Sequence, residues 1–175
     1  MQSRTNTRVN IAVLAMFAAL SFGIYALETL IPNPIPIPGI KLGLSNIIVL
    51  VVLNRYGCKE ASLVLVVRLL LSMLLFGTLL SLLYSAVGGI LCLGVETVLD
   101  KLFKKKYIFI TAAFGALFHN IGQLIVAFII TRSPGMLIYV PYLVIAGIIT
   151  GFLTGLCAFL VIRKLPKSDQ HTIHS

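Results

Sequence analysis

Long apolar tracts separated by short polar connections dominate this chain. The tracts run from Val9 to Leu30, Leu42 to Leu53, Ala61 to Phe76, Leu79 to Leu99, Tyr107 to Ile130 and Met136 to Ile162. Most approach the roughly 20 residues that a helix needs to cross a bilayer. The third and fourth are one continuous stretch, which a turn near Phe76-Gly77-Thr78 must divide. The pattern predicts an all-α bundle of six transmembrane helices, at about 8–30, 41–54, 61–77, 79–99, 107–131 and 136–163, within a single membrane domain spanning 1–175.

Composition agrees with a membrane protein and not with a soluble domain. The chain is 59% hydrophobic and only 11% charged, with a mean hydropathy of +1.06. The three cysteines, Cys58, Cys92 and Cys157, form no CxxC pair. They predict neither a disulfide framework nor a zinc site, and no metal or other cofactor is expected. The first tract lacks a cleavage site and should be retained as a helix.

The basic residues sort to one side of the membrane if six helices cross it. Lys41 and Arg132 then lie on the outer side, and basic residues accumulate in cytoplasmic loops. Both termini are therefore expected in the cytoplasm. The net charge of +9 is explained by this topology and by contact with anionic lipids, and nucleic acid is not an expected partner. Eleven of the fourteen cations share the side of the termini: Arg4, Arg8, Arg55, Lys59, Lys101, Lys104, Lys105, Lys106, Arg163, Lys164 and Lys167.

The sequence lacks the motifs of an enzyme that acts on nucleotides or diphosphates. It has no GxxxxGK(S/T) loop and no GxGxxG after a strand. Its five acidic residues are not paired, whereas enzymes that hold diphosphate through Mg²⁺ need several oxygen ligands. We expect no catalytic residues, and any energy for transport would come from an ion gradient or a partner.

The fifth tract places the polar stretch FHNIGQL at membrane depth. His119, Asn120 and Gln123 lie on one side of the predicted helix, beside Gly122. Polar groups at that depth are costly unless they face the bundle interior or a wet cavity. They could form hydrogen bonds between helices or line a ligand pocket, and the cluster of three favours a pocket wall.

Other candidate residues flank this wall. The segment 31–40 has prolines at every second position and cannot be helical. It is either a rigid linker or a lid over an outward pocket. The fourth-tract glycines could admit a ligand or pack against another helix, whereas we expect the sixth-tract glycines Gly147, Gly151 and Gly155 to pack. The candidate ligand contacts are Asn33, Lys41, Asn46, Tyr84, Ser85, Gly88 and Gly89.

The charged residues near the helix ends have two interpretations each. Arg68 either reaches the inner headgroups or pairs with a buried anion, for which Glu96 is the best partner. At the outer edge, an aromatic and polar rim either anchors the protein at the interface or contacts a polar substrate head. The rim consists of Glu28, Lys41, Arg132, Tyr139 and Tyr142.

Several segments together resemble a known family. These are AMFAA in the first tract, PIPIPGIKLGLSNI before the second, LLFGTLLSLLYSAVGG across the third connection and GALFHNIGQL in the fifth. They resemble the Gx transporter family, often labelled heptaprenyl diphosphate synthase component I, over nearly the whole chain. That family is similar to the S components of bacterial energy-coupling factor (ECF) transporters, multi-pass proteins of the cytoplasmic membrane that capture a vitamin-like molecule from outside.

The resemblance implies a partner set and a role. A transmembrane T component and two ATPases would complete the transporter, and Ala15 and Ala19 on the first helix would dock the T component. The ligand would be a small vitamin-like molecule or one related to isoprenoids, quinones or flavins. The alternative is a non-transporting accessory subunit for prenyl diphosphate or quinone synthesis, or for flavin-dependent electron transfer outside the cell. An autonomous ion-coupled carrier ranks last, because Glu28 and Glu96 lie near helix ends.

Overall fold

The computed structural model describes residues 10–30, 41–76, 78–103 and 107–165. These residues contain six α-helices and no strand, as the apolar pattern predicts. A short 3-10 helix, Pro134–Tyr139, precedes the last α-helix. The helices are α1 (Ile11–Leu30), α2 (Asn46–Arg55), α3 (Cys58–Phe76), α4 (Leu79–Leu102), α5 (Ile108–Thr131) and α6 (Val140–Lys164).

Four of the helices are long and apolar enough to cross a membrane. These are α1, α4, α5 and α6, with 20 to 25 residues each. At a rise of about 1.5 Å per residue they exceed or match a hydrocarbon core of about 30 Å. The third helix has 19 residues, but Lys59, Glu60 and Arg68 make it less apolar than the other four. Length and composition therefore confirm a helical membrane protein.

The second helix begins later than the apolar pattern predicts. We expected helix from position 41, whereas α2 starts at Asn46 and has only 10 residues. Gly43 has φ +79°, in the left-handed region that interrupts a helix. The N–H of Asn46 then donates to the Gly43 carbonyl in a turn. The expected break between α3 and α4 is confirmed, with α3 ending at Phe76 and α4 starting at Leu79.

The second helix forms the centre of the bundle. Its residues from Ile48 to Leu53 are all buried, and it packs against α1, α3, α4 and α6. A helix that is apolar on every side is stable only when other helices surround it or lipid does. Large apolar side chains on α1, α3 and α6 face outward instead, as expected for contact with lipid.

The second half of the bundle is packed through glycines. On α6, a Cβ added at Gly151 would lie 2.5 Å from the Ala113 Cα, and one at Gly155 would lie 3.1 Å from the Phe109 Cα. The backbones of α5 and α6 therefore approach as closely as small residues allow. This confirms the packing role predicted for the α6 glycines.

Candidate functional site

The non-helical entry to α2, residues 41–45, is bound to the outer half of α1. Glu28 Oε1 accepts a hydrogen bond of 2.5 Å from the backbone N–H of Gly43, and the Ser21 hydroxyl donates to the Ser45 carbonyl at 3.0 Å. Lys41 Nζ lies 3.6 Å from the centre of the Tyr25 ring. Glu28 is only 5% exposed, which excludes interface anchoring for this residue; contact with a substrate head stays a prediction. The carboxylate is turned inward because the irregular backbone needs an acceptor there.

Arg68 lies inside the protein and not at the headgroups. Its side chain is 1% exposed, which excludes the first of its two interpretations, contact with the inner headgroups. Its Nη1 donates to the Ser45 hydroxyl and, at 3.2 Å, to Asn46 Oδ1. Glu96, its predicted partner, is not among its hydrogen-bond partners, and the carboxyl group that binds the same entry segment is that of Glu28. The guanidinium therefore joins α3 to the start of α2.

A chain of hydrogen bonds continues from Arg68 across the bundle. Asn46 Nδ2 lies 3.2 Å from His119 Nδ1, and His119 Nε2 lies 3.0 Å from Gln123 Nε2. His119 is 3% exposed and Gln123 is 0% exposed. The series Arg68, Asn46, His119 and Gln123, which we call the polar relay, links α2 and α3 to α5.

Several polar atoms around the relay have no hydrogen-bond partner. They are Arg68 Nε and Nη2, Gln123 Oε1 and Glu28 Oε2, together with Glu96 Oε2 nearer the other end of α4. Each belongs to a side chain that is at least nine-tenths buried. Leaving such a group unpaired away from water costs about 1–3 kcal/mol, and more when the group is charged. The interior is thus incompletely satisfied at both ends of the relay.

A small cavity adjoins the middle of the relay. Its volume is about 10 Å³, room for about one water molecule. It is bounded by α2 and its entry, α4, α5 and α6, with Asn46, His119, Glu96 and Thr154 as its polar walls. Within the described residues this cavity is too small for a ligand, and the proline-rich segment expected to cover an outward pocket lies outside them.

The other predicted residues lie around this interior. Asn120 Nδ2 donates to the Leu143 carbonyl of α6 at 2.9 Å and borders a cavity of about 40 Å³ with otherwise apolar walls. Tyr84 and Ser85 are buried on α4. Tyr84 packs with Val126 and Leu143.

The two α4 glycines face the relay. A Cβ at Gly88 would lie 2.7 Å from His119 Nδ1, and one at Gly89 would lie 2.9 Å from Leu65 and 3.4 Å from Arg68 Nη2. Of the residues predicted on α1, Ala15 and Ala19 are exposed on the outer surface of the bundle. Asn33 and the proline-rich segment 31–40 lie outside the described residues.

The sequence patterns did not identify three members of this interior as site residues. Ser45 was not singled out, Arg68 was left between the inner headgroups and a buried anion, and Glu28 was placed at the outer edge, as an anchor or as a contact for a substrate head. The available signal was the position of Arg68 in the apolar run 61–76, since a charge within a span usually faces the interior and has a function.

Comparison with known proteins gives one match. The family model described as heptaprenyl diphosphate synthase component I matches residues 17–161. This range includes α2 to α5 entirely and most of α1 and α6, with every member of the polar relay. No curated protein and no solved structure matches the chain.

Proposed function

The chain belongs to the heptaprenyl diphosphate synthase component I family, and on that premise we propose that it is a non-catalytic membrane subunit that binds a small molecule. The observation that carries this proposal is the polar relay with its unpaired ends. Five helices, α1 to α5, supply buried polar groups to the interior, and five side-chain atoms on α1, α3, α4 and α5 lack partners. Polar groups retained at this depth usually mark a ligand or ion pathway.

We assign the molecule the role of an S component of an ECF-type transporter. Asn120, Gln123 and His119 would contact the ligand, with Tyr84, Ser85, Asn46 and Lys41 beside them. Because the cavity is so small, a ligand can enter only if hydrogen bonds of the polar relay break. Because the relay joins α2 and α3 to α5, a ligand entering there would separate the first three helices from the last three, and the ligand would select that open form.

Six spans, with both termini in the cytoplasm, fit this role. The ten residues of α2 cover about 15 Å, half of the hydrocarbon core. The entry segment 41–45, which ends in a turn, would extend the crossing toward the outer surface. Irregular backbone at such depth is tolerated only where protein satisfies its polar groups. Glu28 and Ser21 satisfy the Gly43 N–H and the Ser45 carbonyl in this way.

This topology has a direct test. Single cysteines are introduced at Lys59 and at Arg132 in a background without Cys58, Cys92 and Cys157, and intact cells are treated with a membrane-impermeant maleimide. We expect labelling at position 132 only, with position 59 reacting after the cells are opened. Labelling of both positions in intact cells would contradict six spans with cytoplasmic termini.

The binding role is tested by mass spectrometry of the gently purified protein. We expect a bound small organic molecule that is lost in the variant Asn120→Ala/Gln123→Ala. Gly94→Ala serves as the control, because an added Cβ there meets nothing within 4 Å. Absence of any bound molecule, with no compound in a metabolite library raising the melting temperature, would refute the binding role.

The family description favours a second candidate, an accessory subunit of a prenyl diphosphate synthase. The words component I imply a partner component. Purification under mild conditions separates the two proposals. Co-purifying ATPases and a T component, docked on Ala15 and Ala19, support transport, whereas a prenyl synthase or a flavoprotein supports the accessory role.

A further inference from the structure

The order of hydrogen-bond donors and acceptors along the polar relay is fixed, because Arg68 can only donate. A guanidinium carries only donors, so the Asn46 atom that faces it must be the oxygen, as found at 3.2 Å. The amide nitrogen of Asn46 is therefore the atom that faces His119 Nδ1. Rotating the Asn46 amide would set an NH₂ group against the guanidinium, two donors facing each other.

This order continues through the ring of His119 to Gln123. His119 is 3% exposed and is joined through Asn46 to the Arg68 guanidinium. A second positive charge there would be costly, so the neutral ring is the expected form. A neutral imidazole has one donor and one acceptor nitrogen. Because Nδ1 accepts from Asn46, the proton lies on Nε2. Gln123 must then present its oxygen to Nε2, since two amide donors on one ring would require an imidazolate anion. A half-turn of the Gln123 amide achieves this.

The half-turn of the Gln123 amide changes which of its atoms lacks a partner. Before the half-turn the unpaired atom is Oε1, and after it the unpaired group is the NH₂. At the other end, Arg68 Nε and Nη2 are also unpaired donors. Both ends of the relay thus offer N–H groups to the interior.

We propose that the relay makes this interior a hydrogen-bond donor site, selecting a guest that presents oxygen acceptors, either neutral carbonyls or a carboxylate. The inference rests on the binding role proposed above and names its chemistry. Glu28 binds the same entry segment as Arg68, through Gly43 where Arg68 binds Ser45. An acidic group is thus already present on the Arg68 side of the relay, and a neutral carbonyl guest is expected first. Asn46 and His119 act as positioning residues, which set the donor character of Gln123 without needing to touch the guest.

The variant Asn46→Asp should invert this preference without changing Gln123. A carboxylate at position 46 accepts from Arg68 and also from the ring, so the proton moves to His119 Nδ1. Nε2 then becomes an acceptor, Gln123 donates its NH₂ to it, and the Gln123 oxygen becomes the unpaired end. Gln123→Glu also places an oxygen acceptor at the unpaired end of the relay, with a side chain of nearly the same size.

The tautomer is read by ¹⁵N NMR of the full-length protein in detergent. The chain has three histidines, and His171→Gln/His174→Gln leaves only His119. We expect the proton on Nε2 in this background and on Nδ1 after Asn46→Asp. The rival acceptor is the backbone carbonyl of Gly88, which lies near the ring. A proton on Nδ1 before the Asn46 substitution would overturn the relay and this inference, while leaving the binding role standing.

Guest chemistry is tested with three ring compounds of similar size. Acetophenone offers a carbonyl, benzoate a carboxylate and aniline only N–H donors. We expect acetophenone or benzoate to raise the melting temperature and to bind about tenfold more tightly than aniline. Acetophenone should bind more tightly than benzoate if the negative charge of Glu28 outweighs the positive charge of Arg68. Asn46→Asp and Gln123→Glu should reverse the order. Equal or tighter binding of aniline to the unmodified protein, or no shift with any of the three, would overturn the donor-site inference. Failure of the binding role itself is recognised separately, by the absence of any bound molecule in the mass spectrum.

Discussion

Replacing Gly88 with alanine tests the polar relay, because the added methyl group would clash with the His119 ring at its middle. The new Cβ would lie 2.7 Å from His119 Nδ1, 2.8 Å from Cε1 and 3.0 Å from the backbone oxygen of residue 119. Real Cβ atoms do not approach other atoms that closely, so the ring must move. Overpacking of this kind costs about 1–3 kcal/mol. Displacing the ring also weakens its two hydrogen bonds, at about 0.6 kcal/mol each in membrane proteins.

The same helix provides the control for this substitution. Alanine is favoured over glycine inside a helix by about 1 kcal/mol, and this gain applies to both Gly88→Ala and Gly94→Ala. At Gly94 nothing lies within 4 Å of the added Cβ, so the gain should appear alone. We therefore expect Gly88→Ala to be less stable than the unmodified protein by about 1–3 kcal/mol, and less stable than Gly94→Ala by about 2–4 kcal/mol.

Equilibrium unfolding in mixed micelles of mild detergent and dodecyl sulfate measures these differences. The ¹⁵N signal of His119 should change in Gly88→Ala and remain unchanged in Gly94→Ala. If both variants gained the same stability and the His119 signal did not move, the ring would not lie against α4 as described. The argument for a rigid relay would then fail.

Two further predictions concern Glu28 and the cysteines. Glu28→Ala should lower the free energy of unfolding by about 1–3 kcal/mol, because it leaves the Gly43 N–H without an acceptor. Glu28→Gln keeps an oxygen there and should recover much of this loss. Equal losses in the two variants would show that the charge, and not the hydrogen bond, matters. Cys92 is buried whereas Cys58 and Cys157 are exposed, so N-ethylmaleimide should modify position 92 only after denaturation. Mass spectrometry of the intact protein counts the adducts, and rapid modification at position 92 in the folded protein would contradict the packing around α4.

The sequence pattern predicted the helices well because membrane spans obey a simple length rule. The ends of α1, α4 and α5 fall within about three residues of the predicted positions where the structure describes them. The start of α2 was misplaced because apolar residues flank Gly43 on both sides, and hydropathy alone does not detect a left-handed glycine. A φ value depends on what the backbone binds, here Glu28 on another helix.

Prediction of the site was limited for a related reason. The polar character of His119, Asn120 and Gln123 is visible along one helix, but the groups on α2 and α6 that bind His119 and Asn120 are not. Arg68 looked close enough to the inner surface to extend toward it, and only the folded arrangement shows that Ser45 and Asn46 hold it inside. Spacing along a helix gives the face on which a residue lies. It does not give the identity of the side chain opposite.

The central position of α2 constrains how the chain is assembled during synthesis. Helix α2 packs against α6, which is synthesised after the other five described helices. Until α6 arrives, part of the α2 surface must face lipid or a chaperone, and before α5 is made the irregular entry has α1 and Arg68 of α3 beside it but not His119. The first three helices therefore cannot reach their final arrangement during translation. Maturation has to wait for the carboxy-terminal helix, and a nascent chain stopped before α6 should remain sensitive to proteases.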